Sequence, residues 1–440
     1  MTLRRLLCRF LLSGMPALPA APASDLDWLV IRQQYREIEW IAGLSGESAT
    51  NGNEWNGAEG RPAVEAELSE PHSAMADLSG AIYIADKNAH AIRKIRPDGV
   101  LVTVAGTNAA GFDGDGPATQ RQLDGPQHAY VLPDGTFYIL DTGNRRIRRV
   151  GTDGEMVTTV METADLSRGL WVSRDERVIY YATTKALKKW TPALGTRPGE
   201  VLATGLVDAG NLDVAANGDI FISDRGASRV YRVPPSHSPG TPLVPVGGLG
   251  GNAADGPRAS GQPALSVGLR EVRGVAFHPA GGYFVATHRG GDVWYIDTRG
   301  IAWMFIEGDT GATFLPTPQP VPTTRQVMAE PRSVSVALNG DILICGNDAG
   351  YVRRIRYTGP QREPAAELAV TVGPAGSPVV RWRVGARRWF RLESTADLSG
   401  GDWTTEQSGP ATGEWQDWVG PGPESTARFY RLTEFRQWPN

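Results

Sequence analysis

The feature that most constrains this chain is an internal repeat. Residues 80–106, GAIYIADKNAHAIRKIRPDGVLVTVAG, and 135–160, GTFYILDTGNRRIRRVGTDGEMVTTV, follow one order. Each runs through an apolar strand, a polar turn, an alternating strand with basic outward positions, an Asp-Gly turn and a β-branched strand. Degraded copies follow at 178–190 (VIYYATTKALKKW), 219–233 (DIFISDRGASRVYRV), 282–296 (GYFVATHRGGDVWYI) and 341–355 (DILICGNDAGYVRRI). One more short apolar strand lies upstream of each copy, at 74–76, 129–131, 170–172, 212–214, 275–277 and 334–336. Each unit is therefore four antiparallel strands. Repeated four-stranded units are propeller blades, whereas a solenoid needs a helix or a parallel strand per repeat. Between the anchors Asp86, Asp141, Thr183, Asp224, Thr287 and Gly346 the intervals are 55, 42, 41, 63 and 59 residues, so several linkers carry insertions.

The sixth copy runs to Tyr357 and into Pro-rich sequence without an obvious fourth strand. An orphan segment, EIEWIAG at 37–43, ends like VTVAG at 102–106. It is predicted to pair into the last blade and close the ring, which removes strand edges that invite aggregation. The competing segment, 368–372, is assigned to the next domain. The two best copies carry NAHAIRKI (88–95) and GNRRIRRV (143–150), and AGTNAAGFDGDGPATQRQLDGPQ (105–127) links them. These segments closely resemble the NHL-repeat family over roughly residues 36–358. The resemblance implies a six-bladed propeller, in agreement with the six units counted. The expected fold is thus all-β: a six-bladed β-propeller at 36–358 and a small C-terminal β-sandwich at 364–440.

The C-terminal module lacks the repeat and holds six of the 13 Trp: Trp382, Trp389, Trp403, Trp415, Trp418 and Trp438. Its RWFRLE and RFYRLT segments resemble a small β-sandwich found at the C-termini of secreted bacterial proteins. The Trp residues could line a carbohydrate surface, but filling the core of a small domain accounts for them more simply.

Residues 1–23 read as a secretory signal: Arg4 and Arg5, the apolar stretch from Leu6 to Leu18, then Ala21-Pro22-Ala23 as cleavage site. The expected location is secreted, periplasmic or cell envelope. The formal charge is 44 − 48 = −4, a poor basis for binding nucleic acid. No later segment reaches the roughly 20 apolar residues of a membrane span. Cys345 is the one thiol outside the signal and reads as a small core residue.

In an up-and-down blade the start of the inner strand and the turn between strands two and three share an end. Aligned copies place His72 and Ser73, Gln127 and His128, Arg168, Asn211, Arg273, and Arg332 and Ser333 at that end. Three Arg at a channel mouth of an acidic protein point to an anionic ligand, because guanidinium matches carboxylate or phosphate with a two-pronged donor set. The alternative is that these Arg neutralise Asp208, Glu271 and Glu330. His90 and His288 lie in turns at the same end, whereas His237 and His278 fall at the other. The resemblance raises a zinc site of the peptide-amidating lyase type, but the His do not occupy equivalent positions, so zinc is not expected. Gluconolactonase-type propellers need converging acidic ligands, and only Asp213 lies near an inner strand. Asp113 and Asp115 in GFDGDG could take calcium, the one candidate cation, although a tight polar turn is the simpler account. Asp86, Asp141 and Asp224 are read as acceptors for their own turns. Arg145, Arg146, Arg148 and Arg149 are read as a solvated blade face.

The function expected from these readings is a non-catalytic binding scaffold with a basic channel mouth. Its partner would be a protein or a small anionic or carbohydrate ligand, and a monomer is expected. The alternative is a metal-dependent channel enzyme.

Overall fold

A computed structural model describes residues 26–43, 59–251, 256–279, 281–308, 320–323, 328, 330–346 and 350–359, and the strands 367–372, 378–383, 389–395, 404–410, 416–419 and 429–435. The signal-like segment lies outside these residues. The chain divides into two compact units at Gly359. Among the described residues no helix is long and apolar enough to cross a membrane.

The first unit is a six-bladed β-propeller. Blade 1 comprises Pro71–Ala76, Ile82–Asp86, Ala91–Ile95 and Leu101–Gly106, from the inside outward. Blades 2 to 5 repeat this order from the inner strands His128–Val131, Ser167–Val172, Ala209–Val214 and Val272–Phe277. Each inner strand touches the next, and that of blade 6, Pro331–Val336, returns to blade 1. The second strands, such as Ile82–Asp86 and Phe137–Asp141, are buried at every position except the half-buried Phe221 of blade 4. Neighbouring blades cover both of their faces, which is why they read as apolar runs without alternation. The core is accordingly six clusters, each at an interface of adjacent blades; one joins Tyr83 and Ile92 of blade 1 to Phe137 and Ile139 of blade 2.

Blade 6 draws a strand from ahead of blade 1. Its outer strand is Glu37–Ala42, antiparallel to Tyr351–Ile355. Glu39 accepts from Arg354 at 2.6 Å and Arg356 at 2.8 Å across the seam. Gly43 and Gly106 end equivalent strands in the same left-handed conformation, φ 105° and 94°. A Cβ at Gly43 would lie 2.3 Å from Gly350 O, and one at Gly106 2.2 Å from His90 O, so only glycine fits either place. Ahead of this strand a helix, Leu26–Gln34, lays Trp28 on Trp303 at 5.5 Å. The sequence reading had no helix there.

The insertions form outer edges. Gly116–Pro117, Gln262–Pro263 and Val321–Pro322 pair as short fifth strands on blades 2, 5 and 6, and Pro62 bridges Val100 on blade 1. Proline suits such an edge because the ladder needs no donor there.

Two readings are corrected here. Arg148 is wholly buried, as are Arg93 and Arg353 at the same place in blades 1 and 6. Arg148 donates to the carbonyls of Gln122 at 3.0 Å and Gly114 at 2.5 Å and meets Asp115 at 3.4 Å. A strand that looks amphipathic thus turns a guanidinium inward to grip the linker. Asp86 and Asp224, in turn, serve chiefly the segment arriving at the inner strand. Asp86 accepts from Ser69 N at 2.7 Å, and Asp224 from Val207 N at 2.8 Å, Asp208 N at 2.9 Å and, within its own turn, Ala227 N at 3.1 Å. Asp141 divides its oxygens between Asp124 N at 2.7 Å and Asn144 of its own turn at 2.9 Å.

Among the described residues the second unit contains two three-stranded sheets. One orders Glu367–Val372, Pro378–Arg383 and Gln416–Val419; the other orders Thr404–Pro410, Trp389–Thr395 and Phe429–Phe435. The segment at 368–372 therefore belongs here. Trp382 is fully buried, and Trp418 meets Tyr430 edge-on at 6.0 Å. Trp403, Trp415 and Trp438 lie outside the described residues.

Candidate functional site

The inner strands start earlier than their apolar residues indicate. Pro71–Ala76, Ser167–Val172, Ala209–Val214, Val272–Phe277 and Pro331–Val336 each carry a register break in their first residues. These irregularities fall at His72, Arg168, Gly210 with Asn211, Arg273 and Arg332. A bulge lets the backbone depart from strict alternation and re-aim a side chain. The following residue is small in several blades, because neighbouring inner strands nearly touch. A Cβ on Gly274 would lie 2.8 Å from Val334 N, and one on Gly169 2.8 Å from Gly210 O. Here side chains replace sheet pairing. Ser73 Oγ accepts from Ala129 N at 3.0 Å, and Ser223 Oγ donates to Arg273 O at 2.9 Å.

His72, Gln127, His128, Arg168, Asn211, Arg273 and Arg332, which the alignment of copies brought to one end, line a single cavity together with Gly210 and Ser333. Its volume is about 30 Å³. That is room for one compact group, since a single water needs about 10–15 Å³ by the same measure. Among the described residues three guanidinium groups and no carboxylate line it.

The carboxylates form a girdle outside. Arg168 meets Asp208 at 2.6 Å, Arg273 meets Glu271 at 3.5 Å and Arg332 meets Glu70 at 3.8 Å. Neutralising pairs therefore exist, as the alternative reading required, yet their contacts are unequal. Glu271 is shared among His288 at 2.8 Å, Arg289 at 3.4 Å, Arg273 and Arg225. Arg273 Nε is buried with no hydrogen-bond partner. Burial, together with Arg332 and Arg225, pushes the Arg273 guanidinium down to about 9. Glu70, Glu271 and Glu330 all stand in the left-handed region, at φ 71°, 53° and 46°. Such a conformation is uncommon for a long side chain and marks a constrained site.

The histidines divide. His72 donates from Nδ1 to Glu70 O at 3.0 Å. Burial, with the nearby Arg332 charge, holds it well below the usual imidazole range. His128 is buried beside Tyr130, and burial pushes it down to about 4. His90 and His288 do not line the cavity. His90 Nδ1 accepts from Gly125 N at 3.0 Å, while His288 bridges Glu271 at 2.8 Å and Glu330 at 3.3 Å. His278, at the far end, bonds Tyr35 OH at 2.8 Å.

Asp213 is a staple between blades 4 and 5. It accepts from Phe277 N at 2.9 Å, and burial pushes it up to about 6. Asp113 and Asp115 have separate partners. Asp113 accepts from Gln122 N at 3.0 Å, and Asp115 from Thr159 N at 2.9 Å and Thr159 Oγ1 at 2.7 Å. Among the described residues no three His, Cys, Asp or Glu are grouped as metal ligands. Cys345 is fully buried, and burial pushes its thiol up to about 12.

Two larger open clefts, of about 540 and 580 Å³, lie on the outer parts of blades 1 and 2. Turn residues such as Pro97, Gly151 and Thr152 line the second, and neither gathers like charges as the mouth does.

No family model matches the chain. A stretch of 129 residues is 32% identical to zebrafish (Danio rerio) Teneurin-3, covering 26% of this chain and 5% of that protein. Among solved structures, a Bacteroides thetaiotaomicron protein of unknown function superposes with a TM-score of 0.55 at 14% identity, over 73% of this chain and 76% of that one. An auxiliary nutrient binding protein of the same species gives a TM-score of 0.54 at 12% identity, over 74% and 77%. These likenesses carry the propeller fold.

Proposed function

We propose that this chain is an extracytoplasmic, non-catalytic binding module whose propeller receives an anionic group of its ligand at the channel mouth. One observation carries the reading: three arginines from blades 3, 5 and 6 line one small cavity, and every carboxylate they touch stands outside it. A guanidinium in a poorly solvated cleft gains most from an anion that enters the cleft with it. Asn211 adds to this bias. Its Oδ1 accepts from Leu212 N at 2.8 Å, which leaves the amide N–H groups for a ligand. The cavity holds a head group only, so the rest of a larger ligand lies over the mouth.

The propeller it shares with an auxiliary nutrient binding protein suits such a use. The test is calorimetric titration of the purified chain with citrate, succinate, phosphate and sulfate, beside the Arg273→Gln variant. The expected result is binding that weakens about tenfold or more in the variant. Titrations with no heat for any anion, or an affinity indifferent to Arg273, would sink the reading.

A further inference from the structure

The cavity differs from a plain anion hole in one respect, set by His72. A backbone carbonyl can only accept, so the contact of His72 Nδ1 with Glu70 O at 3.0 Å puts the ring proton on Nδ1. In the neutral ring Nε2 is then a bare lone pair, and among the described residues it has no hydrogen-bond partner. The charged groups acting on this ring are Arg332, Lys87 and Arg273, all opposed to its protonation. Every other polar lining side chain is a donor or can become one. Arg168, Arg273 and Arg332 donate always; Gln127 and Ser333 can rotate, and His128 can change tautomer. Among the described lining residues His72 alone is anchored as an acceptor.

We infer that the mouth selects an oxyanion that brings its own proton, with inorganic hydrogen phosphate as the ligand: arginines and amides hold its bare oxygens, and its O–H donates to His72 Nε2. This rests on the reading of the mouth as an anion site. Donors arriving from several blades around an axis suit oxygens that lie in more than one plane, and a cavity of about 30 Å³ suits a free ion. Sulfate has nearly the same size and charge as the hydrogen phosphate dianion but carries no proton, so it sets one lone pair against another at His72. Sites built to receive a hydroxyl reject analogues lacking it, because the buried partner is left unpaired.

The experiment is calorimetry on the full chain at about pH 8, where phosphate and sulfate are both dianions, with methyl phosphate dianion as a protonless ester control. Phosphate is expected to bind at least about tenfold more tightly than sulfate or methyl phosphate. In His72→Gln, whose amide can donate, that preference is expected to shrink to about threefold or less, with the thermal melt verifying the fold. Equal affinity for phosphate and sulfate in the native chain, or a preference that survives in His72→Gln, overturns the inference. If citrate or succinate binds through Arg273 and phosphate shows no advantage, the proton requirement alone fails. If no anion binds, the anion-site reading fails with it.

Discussion

Two sets of arginines occupy this ring, one fully buried and one half-buried, and they teach different things. Arg93, Arg148 and Arg353 sit on third strands, among the largest fully buried side chains of the molecule. Arg148 shows their use: two linker carbonyls and Asp115 surround its terminal nitrogens, and the Phe112 ring lies 5.2 Å from its guanidinium carbon. Arg168, Arg273 and Arg332 sit on inner strands, where their partners are remote or shared. Arg148 of the first set spends its terminal nitrogens on the linker and belongs to the architecture. The second shares its carboxylates with Lys87, Arg225, His288 and Arg289, and also lines a cavity. Burial of a guanidinium therefore says little by itself; bordering a cavity lined by other guanidinium groups is what separates the site from the clamp.

That contrast can be broken by substitution. The largest effect is expected from Arg148→Met, which orphans the Gln122 and Gly114 carbonyls and removes the buried cation 3.7 Å from the Asp141 carboxylate. Breaking such a buried pair costs about 3–5 kcal/mol, to be read by urea unfolding. An unchanged midpoint would show that the linker does not need its clamp. Next comes Gly43→Ala, which sets a Cβ against Gly350 O at a φ of 105°. A loss of about 2 kcal/mol or more is expected, with faster hydrogen exchange confined to Glu37–Ala42 and Tyr351–Ile355.

Asp86 tests the same contrast through pH. Burial pushes its carboxyl up to about 7 in the folded chain, against about 3.9 unfolded. The folded state binds the proton more tightly, so this group's contribution is most favourable below about pH 4 and is lost as pH rises through 7. Asp86→Asn should flatten that part of the stability profile by about 1–3 kcal/mol, measured as melting temperature against pH; a slope equal to that of the native chain would refute it. The smallest effect is expected from Arg273→Gln. Removing a partly desolvated cation among other cations should change stability by less than about 1 kcal/mol. A loss as large as that of Arg148→Met would place Arg273 with the clamps.

Much of the ring was legible because second strands such as FYILD and IFISD, covered on both faces, leave unbroken apolar runs at regular intervals. The closing strand was legible through its terminal glycine, since Gly43 and Gly106 meet the same steric demand. The seven mouth residues were legible by alignment of the copies, although the bulges that aim them were not. A bulge follows from how two strands misfit, and His72 or Arg168 reads as loop until its neighbour is in place. The clamp was misread because Arg148 lies in a strand whose period resembles a solvated face. Its partners are carbonyls, and any residue carries a carbonyl. The only textual hint was that GFDGDGP and the GNRRIRRV copy occur close together.

The closing seam has a consequence for how the chain is made. Glu39 and Arg354, partners in it, stand 315 positions apart. A strand synthesised near the beginning must wait, unpaired, until nearly the whole ring has left the ribosome. Contacts so distant along the chain form late and slowly. Blades 1 to 5 can stack in order of synthesis, and the last joint then registers whether every earlier one was laid correctly.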